Sequence, residues 1–337
     1  FIISCLLSSF ILADIAKFSV VVLSKDDLMP IEGVQLQANF WEDNGWKAWT
    51  ESPHVDVDRQ ITDKNGFCRF KGKTNCGNVC CFVTVPPHGF YSGKGWGTDF
   101  KKKNIFGVWQ PDNLVVTLSL DRVEHPIPLF VKQIFSRASD SVSSNYFDIG
   151  KGKMEFDMVK GGFLPPIGKG EYADICFTRL EREDLGIGTN FNGRTALAYR
   201  DSMVVKFLGE GNGLIEIPSK KTAGIKIRTA PLGGYKTDYL VTKGKDKSVK
   251  RFSSSNPDRN FAFRIRTKSD KNGKVVSAYY GKIYGDIEIK KPYTVEISVA
   301  APSFMYYLNP ASLDRNLEWD MKNNLCPNPG SLSQPMP

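Results

Sequence analysis

Apolar and polar residues alternate with a period of two along much of this chain, the spacing that sets one face of a β-strand against a core and leaves the other to water. Val34, Leu36, Ala38 and Phe40 alternate with Gln35, Gln37 and Asn39, and Leu114, Val116, Leu118 and Leu120 share one face in the same way. Phe18, Val20 and Val22 alternate with Ser19, Val21 and Leu23, a strand apolar on both sides. The pattern predicts further strands over 46–51, 55–61, 67–71 and 79–85, turned by Glu42-Asp43-Asn44-Gly45 and by Thr62-Asp63-Lys64-Asn65-Gly66. About seven short strands in roughly a hundred residues, with turn signals at regular spacing, describe an antiparallel sandwich.

His125-Pro126-Ile127-Pro128 interrupts the pattern, because two prolines in three residues deny the chain a continuing ladder. Beyond it strands are predicted over 154–158, 173–178, 203–208, 214–217, 260–267, 275–280, 285–289 and 293–299. In the clearest hairpin Phe261, Phe263 and Ile265 point inward, Arg264 and Arg266 outward, and Asn272-Gly273 supplies the positive φ of a tight turn. Leu313, Leu317 and Met321 recur at every fourth residue and predict one or two helical turns within 312–325, with disorder after Cys326. The 337 residues suffice for two cores, and 30 Gly with 19 Pro suit many strands joined by turns and exclude a wholly helical protein. The expectation is an all-β chain of two antiparallel β-sandwich domains, over 14–124 and 125–308, with a partly disordered C-terminal extension over 309–337.

The run Phe1–Leu12 has the length of a signal-peptide apolar region and is too short to span a bilayer, so residues 1–13 are expected to be a truncated signal peptide cleaved near Ala13. A buried first strand is the alternative. Ile2-Ile3-Ser4-Cys5 loosely fits a lipoprotein cleavage box, but the apolar run continues past Cys5. No other membrane-spanning segment is expected, which points to a secreted, periplasmic or outer-surface protein.

Pro30, Ile31, Gly33 and Val34 at the start of one strand, Thr62, Asp63, Gly66 and Phe67 at the following turn, and the later Pro86-Pro87-His88-Gly89-Phe90-Tyr91 resemble the carboxypeptidase-regulatory-like, or prealbumin-like, module. The resemblance covers roughly residues 17–121. It implies an Ig-like spacer or surface-interaction domain without catalytic residues. The stretches Met154–Asp174 and Ala278–Gly285 are similar to a group of uncharacterised secreted bacterial proteins, which implies shared architecture and no known activity.

Seven cysteines become six if Cys5 leaves with the signal, an even number suited to an oxidising compartment. Taking 67–71 and 79–85 as antiparallel neighbours places Cys68 opposite Cys81 and Cys76 near Cys80, so bridges Cys68–Cys81 and Cys76–Cys80 are expected, with Cys176–Cys326 as a third pair. Zinc is the rival, but paired C-x-x-C knuckles are missing.

The net charge of +9 is concentrated between Ser219 and Arg251, where Lys220, Lys221, Lys226, Arg228, Lys236, Lys243, Lys245, Lys247, Lys250 and Arg251 face only Asp238 and Asp246. In a secreted protein this favours anionic surface or matrix polymers over nucleic acid, with a solvated loop as the alternative. Lys243, Lys245 and Lys247 are its candidate contacts.

Catalytic motifs are missing: no G-x-S-x-G elbow, no H-E-x-x-H, and His54, His88 and His125 lie in strand, turn and junction settings. Asp56, Asp58, Asp63 and Asn65 lack the spacing of a calcium loop, and Asp63 and Asn65 read better as turn formers. No metal and no cofactor are expected. Trp41, Trp46 and Trp49 flank one hairpin and are candidates for stacking on sugar rings, with core filling as the alternative. The reading is a non-enzymatic structural or adhesive protein of the cell exterior. Carbohydrate binding through those tryptophans is the second reading, and an extracellular hydrolase with an unrecognised pair of carboxylates the third.

Overall fold

The structure, a computed structural model, describes residues 14–43, 54–85, 87, 89–91, 95–104, 106–134, 153–180, 182–217, 226–256, 259–290, 301–327, 329 and 332. The described residues form strands and turns and no α-helix. The chain divides into two compact units, the second beginning at Glu124.

The first unit contains β1 (Ile15–Ser24), β2 (Gln35–Trp41), β3 (Val55–Ile61), β4 (Phe67–Lys73), β5 (Asn78–Val85), β6 (Trp96–Asp99), β7 (Lys102–Lys103), β8 (Trp109–Gln110) and β9 (Leu114–Leu120). One sheet runs β4-β1-β9 and the other β3-β2-β5-β6, with β7 and β8 as a separate ribbon. Ala16, Phe18, Val20 and Val22 from the first sheet meet Leu36, Ala38, Phe40, Val79 and Cys81 from the second in one core. Phe18 stacks on Phe70 at 5.2 Å and lies 6.0 Å from Phe40. All pairings are antiparallel except β1 with β9, which is parallel.

The segments 30–34 and 62–66 meet in this unit. Thr62, 3% exposed, donates its hydroxyl to the Ile31 carbonyl at 2.7 Å and accepts the Val34 amide at 2.9 Å. The Gly33 amide bonds the Thr62 carbonyl at 2.9 Å, and Val22 donates its amide to the Gly66 carbonyl at 2.8 Å. Asp56 and Asp58 also have a backbone role. Their carboxylates accept the Lys73 amide at 2.8 Å and the Lys71 amide at 3.1 Å, closing the edge of β4 that β1 leaves unpaired.

The cysteine expectations need correction. β4 pairs with β1 and β5 with β2, so Cys68 and Cys81 are not on neighbouring strands but belong to opposite sheets of the same core. All six described cysteines are free thiols, so none of the bridges Cys68–Cys81, Cys76–Cys80 and Cys176–Cys326 is formed. Cys76 is exposed and donates its thiol to the Trp41 carbonyl at 3.1 Å, while Cys80 is half-buried. Burial pushes the Cys68 and Cys81 thiols up to about 12.

The second unit contains β10 (Ile127–Ile134), β11 (Lys153–Asp157), β12 (Gly162–Phe163), β13 (Ile175–Arg179), β14 (Glu183–Thr189), β15 (Thr195–Phe207), β16 (Gly213–Ile217), β17 (Asp238–Lys245), β18 (Arg251–Ser253), β19 (Asn260–Ser269), β20 (Val275–Lys290), β21 (Ala301–Asn309) and β22 (Trp319–Asn324). One sheet runs β16-β19-β20-β21-β10-β22, the other β12-β11-β13-β15-β17-β18 with β14 beside β15. Phe156, Phe177, Met203, Val205 and Phe207 of the second sheet pack against Phe261, Phe263, Ile283, Phe304 and Tyr306 of the first. Three sequence expectations change here. The segments 275–280 and 285–289 are one strand, β20. The expected helical turns within 312–325 are replaced by β22, which pairs in parallel with β10, so the chain stays folded through this part of the C-terminal extension. Arg266 does not stay outward in solvent. The β19–β20 register shifts between Ile265 and Lys268, Arg266 takes φ 52°, and its guanidinium meets Asp157 and Asp174.

Candidate anionic-surface interface

Two hairpins of the second unit place the basic residues. β14 and β15 are joined by Asn190-Phe191-Asn192-Gly193-Arg194, and β17 and β18 by Asp246-Lys247-Ser248-Val249-Lys250. Both turns have the same build: the leading Asx oxygen accepts the amides two and four residues on, at 2.9–3.0 Å, and the fourth residue donates its amide to the leading carbonyl. The turns lie side by side, since Thr189 donates its amide to the Lys247 carbonyl at 2.9 Å. A Cβ added at Gly188 would stand 2.5 Å from that carbonyl oxygen, so glycine is what lets the two backbones touch.

The root of the β14–β15 hairpin is fixed by Asp201, 1% exposed, which accepts Arg182 at 2.9 and 3.1 Å and Arg179 at 3.2 Å. Arg182 also lies over the Tyr199 ring at 4.5 Å. Residues 187–197 and 245–251 together carry Arg194, Lys245, Lys247, Lys250 and Arg251 against the single acid Asp246, whose Oδ1 is engaged by its own turn. Arg194, Lys247, Lys250 and Arg251 are exposed and Lys245 half-buried. The arrangement is a positive surface on hydrogen-bonded turns.

The predicted site residues separate. Lys245 and Lys247 lie on this surface. Lys243 does not serve it: its ammonium donates to the Ile289 carbonyl at 2.7 Å, tying β17 to β20. Trp41 is half-buried at the end of β2, and its carbonyl accepts the Thr74 hydroxyl and the Cys76 thiol. Trp46 and Trp49 lie outside the described residues, as does His88. Among the other tryptophans, Trp96 packs on Phe18 at 5.0 Å, and Trp109 is buried and donates to the Thr74 carbonyl. The exposed Phe191 and Ile187 were not singled out in the sequence. Phe191 is the apolar residue in an otherwise polar Asn-x-Asn-Gly turn, which was the available signal.

Two buried carboxylates do come together, Asp157 and Asp174, on either side of Arg266. Asp157 accepts the amides of Val159, Lys160, Glu171 and Tyr172, and Asp174 accepts that of Met158. Burial opposes ionisation of Asp157, yet its backbone donors and Arg266 hold it below the usual carboxylate range. Burial dominates at Asp174, with fewer donors, and raises it. All four oxygens are engaged by protein donors, and the cluster staples the loop between β11 and β13.

A polar depression is lined by Glu124, His125, Arg228, Thr229, Asp314, Arg315, Asn316 and Glu318. Glu318, 1% exposed, accepts the amides of Glu124 and His125 and lies 3.4 Å from Arg228, which also pairs with Glu124. Among the described residues, no group of three or more His, Cys, Asp and Glu could hold a metal ion.

No protein-family model matches the chain, and no curated protein matches it significantly. Among solved structures it is similar to the full-length major pilin SpaD of Corynebacterium diphtheriae at 11% identity, over 90% of this chain and 83% of that one, with a TM-score of 0.25. It is also similar to the shaft pilin SpaA of Lactobacillus rhamnosus GG, at 10% identity over 59% of this chain and 90% of that one, TM-score 0.23. A streptococcal ancillary pilin follows at 12% identity, over 62% and 57%, TM-score 0.23. Scores this low carry no argument about function, and the fold rests on the sheets described above.

Proposed function

We propose that this chain is a non-enzymatic structural or adhesive protein of the cell exterior that holds to anionic surfaces through the β14–β15 and β17–β18 turns. The first unit is its prealbumin-like spacer. The observation that supports this reading is the juxtaposition, through the Thr189–Lys247 bond, of five cations against one acid already engaged by its turn. Cations held on rigid turns lose little freedom when they meet a polyanion, and a field of one sign draws it in from a distance.

The test is retention on an immobilised sulfated polysaccharide. The reading expects elution at moderate salt, and early elution when Lys247, Lys250 and Arg251 are changed to Gln. Lys243→Gln should change stability rather than retention, because its ammonium serves Ile289. Retention indifferent to salt and to the triple substitution would sink the reading. The engaged oxygens of Asp157 and Asp174 argue against the hydrolase reading. For carbohydrate binding, Trp96 packs on Phe18 and Trp109 is buried with its indole N–H on the Thr74 carbonyl, so these two serve the fold.

A further inference from the structure

The cationic turns carry apolar side chains that a soluble polyanion would not need. Phe191, at the tip of the β14–β15 hairpin, is 95% exposed, and Ile187 is 76% exposed. Ile187 stands directly across the ladder from Leu197, itself exposed, so this hairpin presents three exposed apolar residues to water. Exposed apolar residues gathered on one hairpin and rimmed by charge mark a candidate contact site.

The neighbouring turn adds an independent observation. Four turns of this chain share one build, led by Asp63, Asn104, Asn190 and Asp270, and in each the fourth residue is a glycine with φ between 68° and 77°. The turn led by Asp246 has the same hydrogen bonds but puts Val249 there, at φ 62°. A β-branched residue is disfavoured in that conformation. The exception to the glycine rule lies in the turn that touches the Phe191 hairpin, where an apolar side chain is kept at a conformational cost.

We propose that this face docks onto a bilayer containing anionic phospholipid, with Phe191, Ile187, Leu197 and Val249 entering the headgroup boundary and Arg194, Lys245, Lys247, Lys250 and Arg251 meeting the lipid phosphates. Charge complementarity selects the anionic surface. The exposed Phe191 at the hairpin tip, beside the basic residues, selects a bilayer over a polymer, because apolar insertion and cationic attraction reinforce one another there. The proposal rests on the anionic-surface reading above and names the surface.

The experiment is co-sedimentation of the whole chain with phosphatidylcholine vesicles, with and without phosphatidylglycerol, beside the polysaccharide column. Binding is expected only with phosphatidylglycerol, and Phe191→Ser should weaken it about tenfold, the effect of losing one buried aromatic side chain, with column retention unchanged. Phe191→Trp should give a blue-shifted emission on anionic vesicles. Vesicle binding indifferent to Phe191→Ser but lost with the lysine substitutions would overturn the lipid proposal and leave the anionic-surface reading standing. So would column retention without vesicle binding. Failure of both assays would remove the two together.

Discussion

Lys282 offers the sharpest test of the packing described here. It sits in β20 with no exposed surface, its ammonium nitrogen 3.1 Å from the Tyr284 hydroxyl, 4.7 Å from the centre of the Tyr284 ring and 5.1 Å from that of Tyr307. Glu318 is the acid that favours its charge, but that carboxylate already serves Arg228 and two amides. Burial therefore holds the amine well below its ordinary 10.5. Between the folded value and 10.5 the unfolded chain carries a proton the folded chain lacks, so stability must rise with pH, by at most about 1.4 kcal/mol per pH unit for one proton. Lys282→Met keeps the volume, removes the titration, and costs about 1 kcal/mol for the lost bond to Tyr284. Urea midpoints of the second unit at pH 6.5, 7.5 and 8.5 should climb for the native chain and stay flatter for the variant, whose advantage is largest at pH 6.5. The window ends below 9 because the buried Cys68 and Cys81 thiols, pushed up to about 12, act with the opposite sign above the ordinary thiol value of 9.0. Identical pH slopes in the two proteins would refute the reasoning.

Three further outcomes follow from the same geometry. Arg266→Met should lower stability by about 3–5 kcal/mol, because it strands two buried carboxylates, and Arg266→Lys should restore little of it since one ammonium cannot serve both; chemical denaturation checks both. Gly66→Ala places a Cβ 2.4 Å from the Val22 carbonyl oxygen at φ 68° and should cost more than about 2 kcal/mol, read as a fall in Tm of the first unit. Asp58→Ala should uncover the Lys71 amide on the edge of β4 and cost about 1–2 kcal/mol, with faster hydrogen exchange at that amide; unchanged exchange would contradict the edge-closing role.

The period-two pattern made most strands legible, because large apolar residues recur at their inward positions: Phe18, Val20 and Val22 along β1, Phe261, Phe263 and Ile265 along β19, and Met203, Val205 and Phe207 at the end of β15. It failed where burial is not apolar on alternate positions. β17 reads as a lysine-rich loop because Val241 is its one buried large apolar residue and Lys243 is drawn inward by a carbonyl on the other sheet. β22 reads as helical because Leu313, Leu317 and Met321 recur at every fourth residue, yet of the three only Leu317 is buried, and it precedes the strand. Arg266 reads as outward because alternation cannot register a bulge, and the cross-sheet placement of Cys68 and Cys81 escapes any rule that pairs consecutive strands. Of the candidate interface, the charge was visible in the sequence. The neighbour that makes it a surface, the Phe191 turn, lies more than fifty residues away in the chain, and only the β15–β17 pairing brings it alongside.

The turns connect these observations. Asp63-Lys64-Asn65-Gly66 stood out in the sequence as turn chemistry, and its carboxylate does accept the Asn65 and Phe67 amides. The same backbone solution recurs at Asn104, Asn190, Asp246 and Asp270, so the fold treats it as a standard part, and the Asn104 turn also carries an exposed apolar residue, Phe106. Against that standard, departures carry information. Asp270-Lys271-Asn272-Gly273 shows what solvent alone demands: a lysine in the second position and glycine in the fourth. In the two adjoining turns the second position holds Phe191 in one, and the fourth holds Val249 in the other. Neither change helps the turn: an aromatic ring in water gains nothing, and a valine at positive φ loses stability. Both place apolar surface on a face that also concentrates cation, and a shared contact with something both anionic and apolar accounts for both.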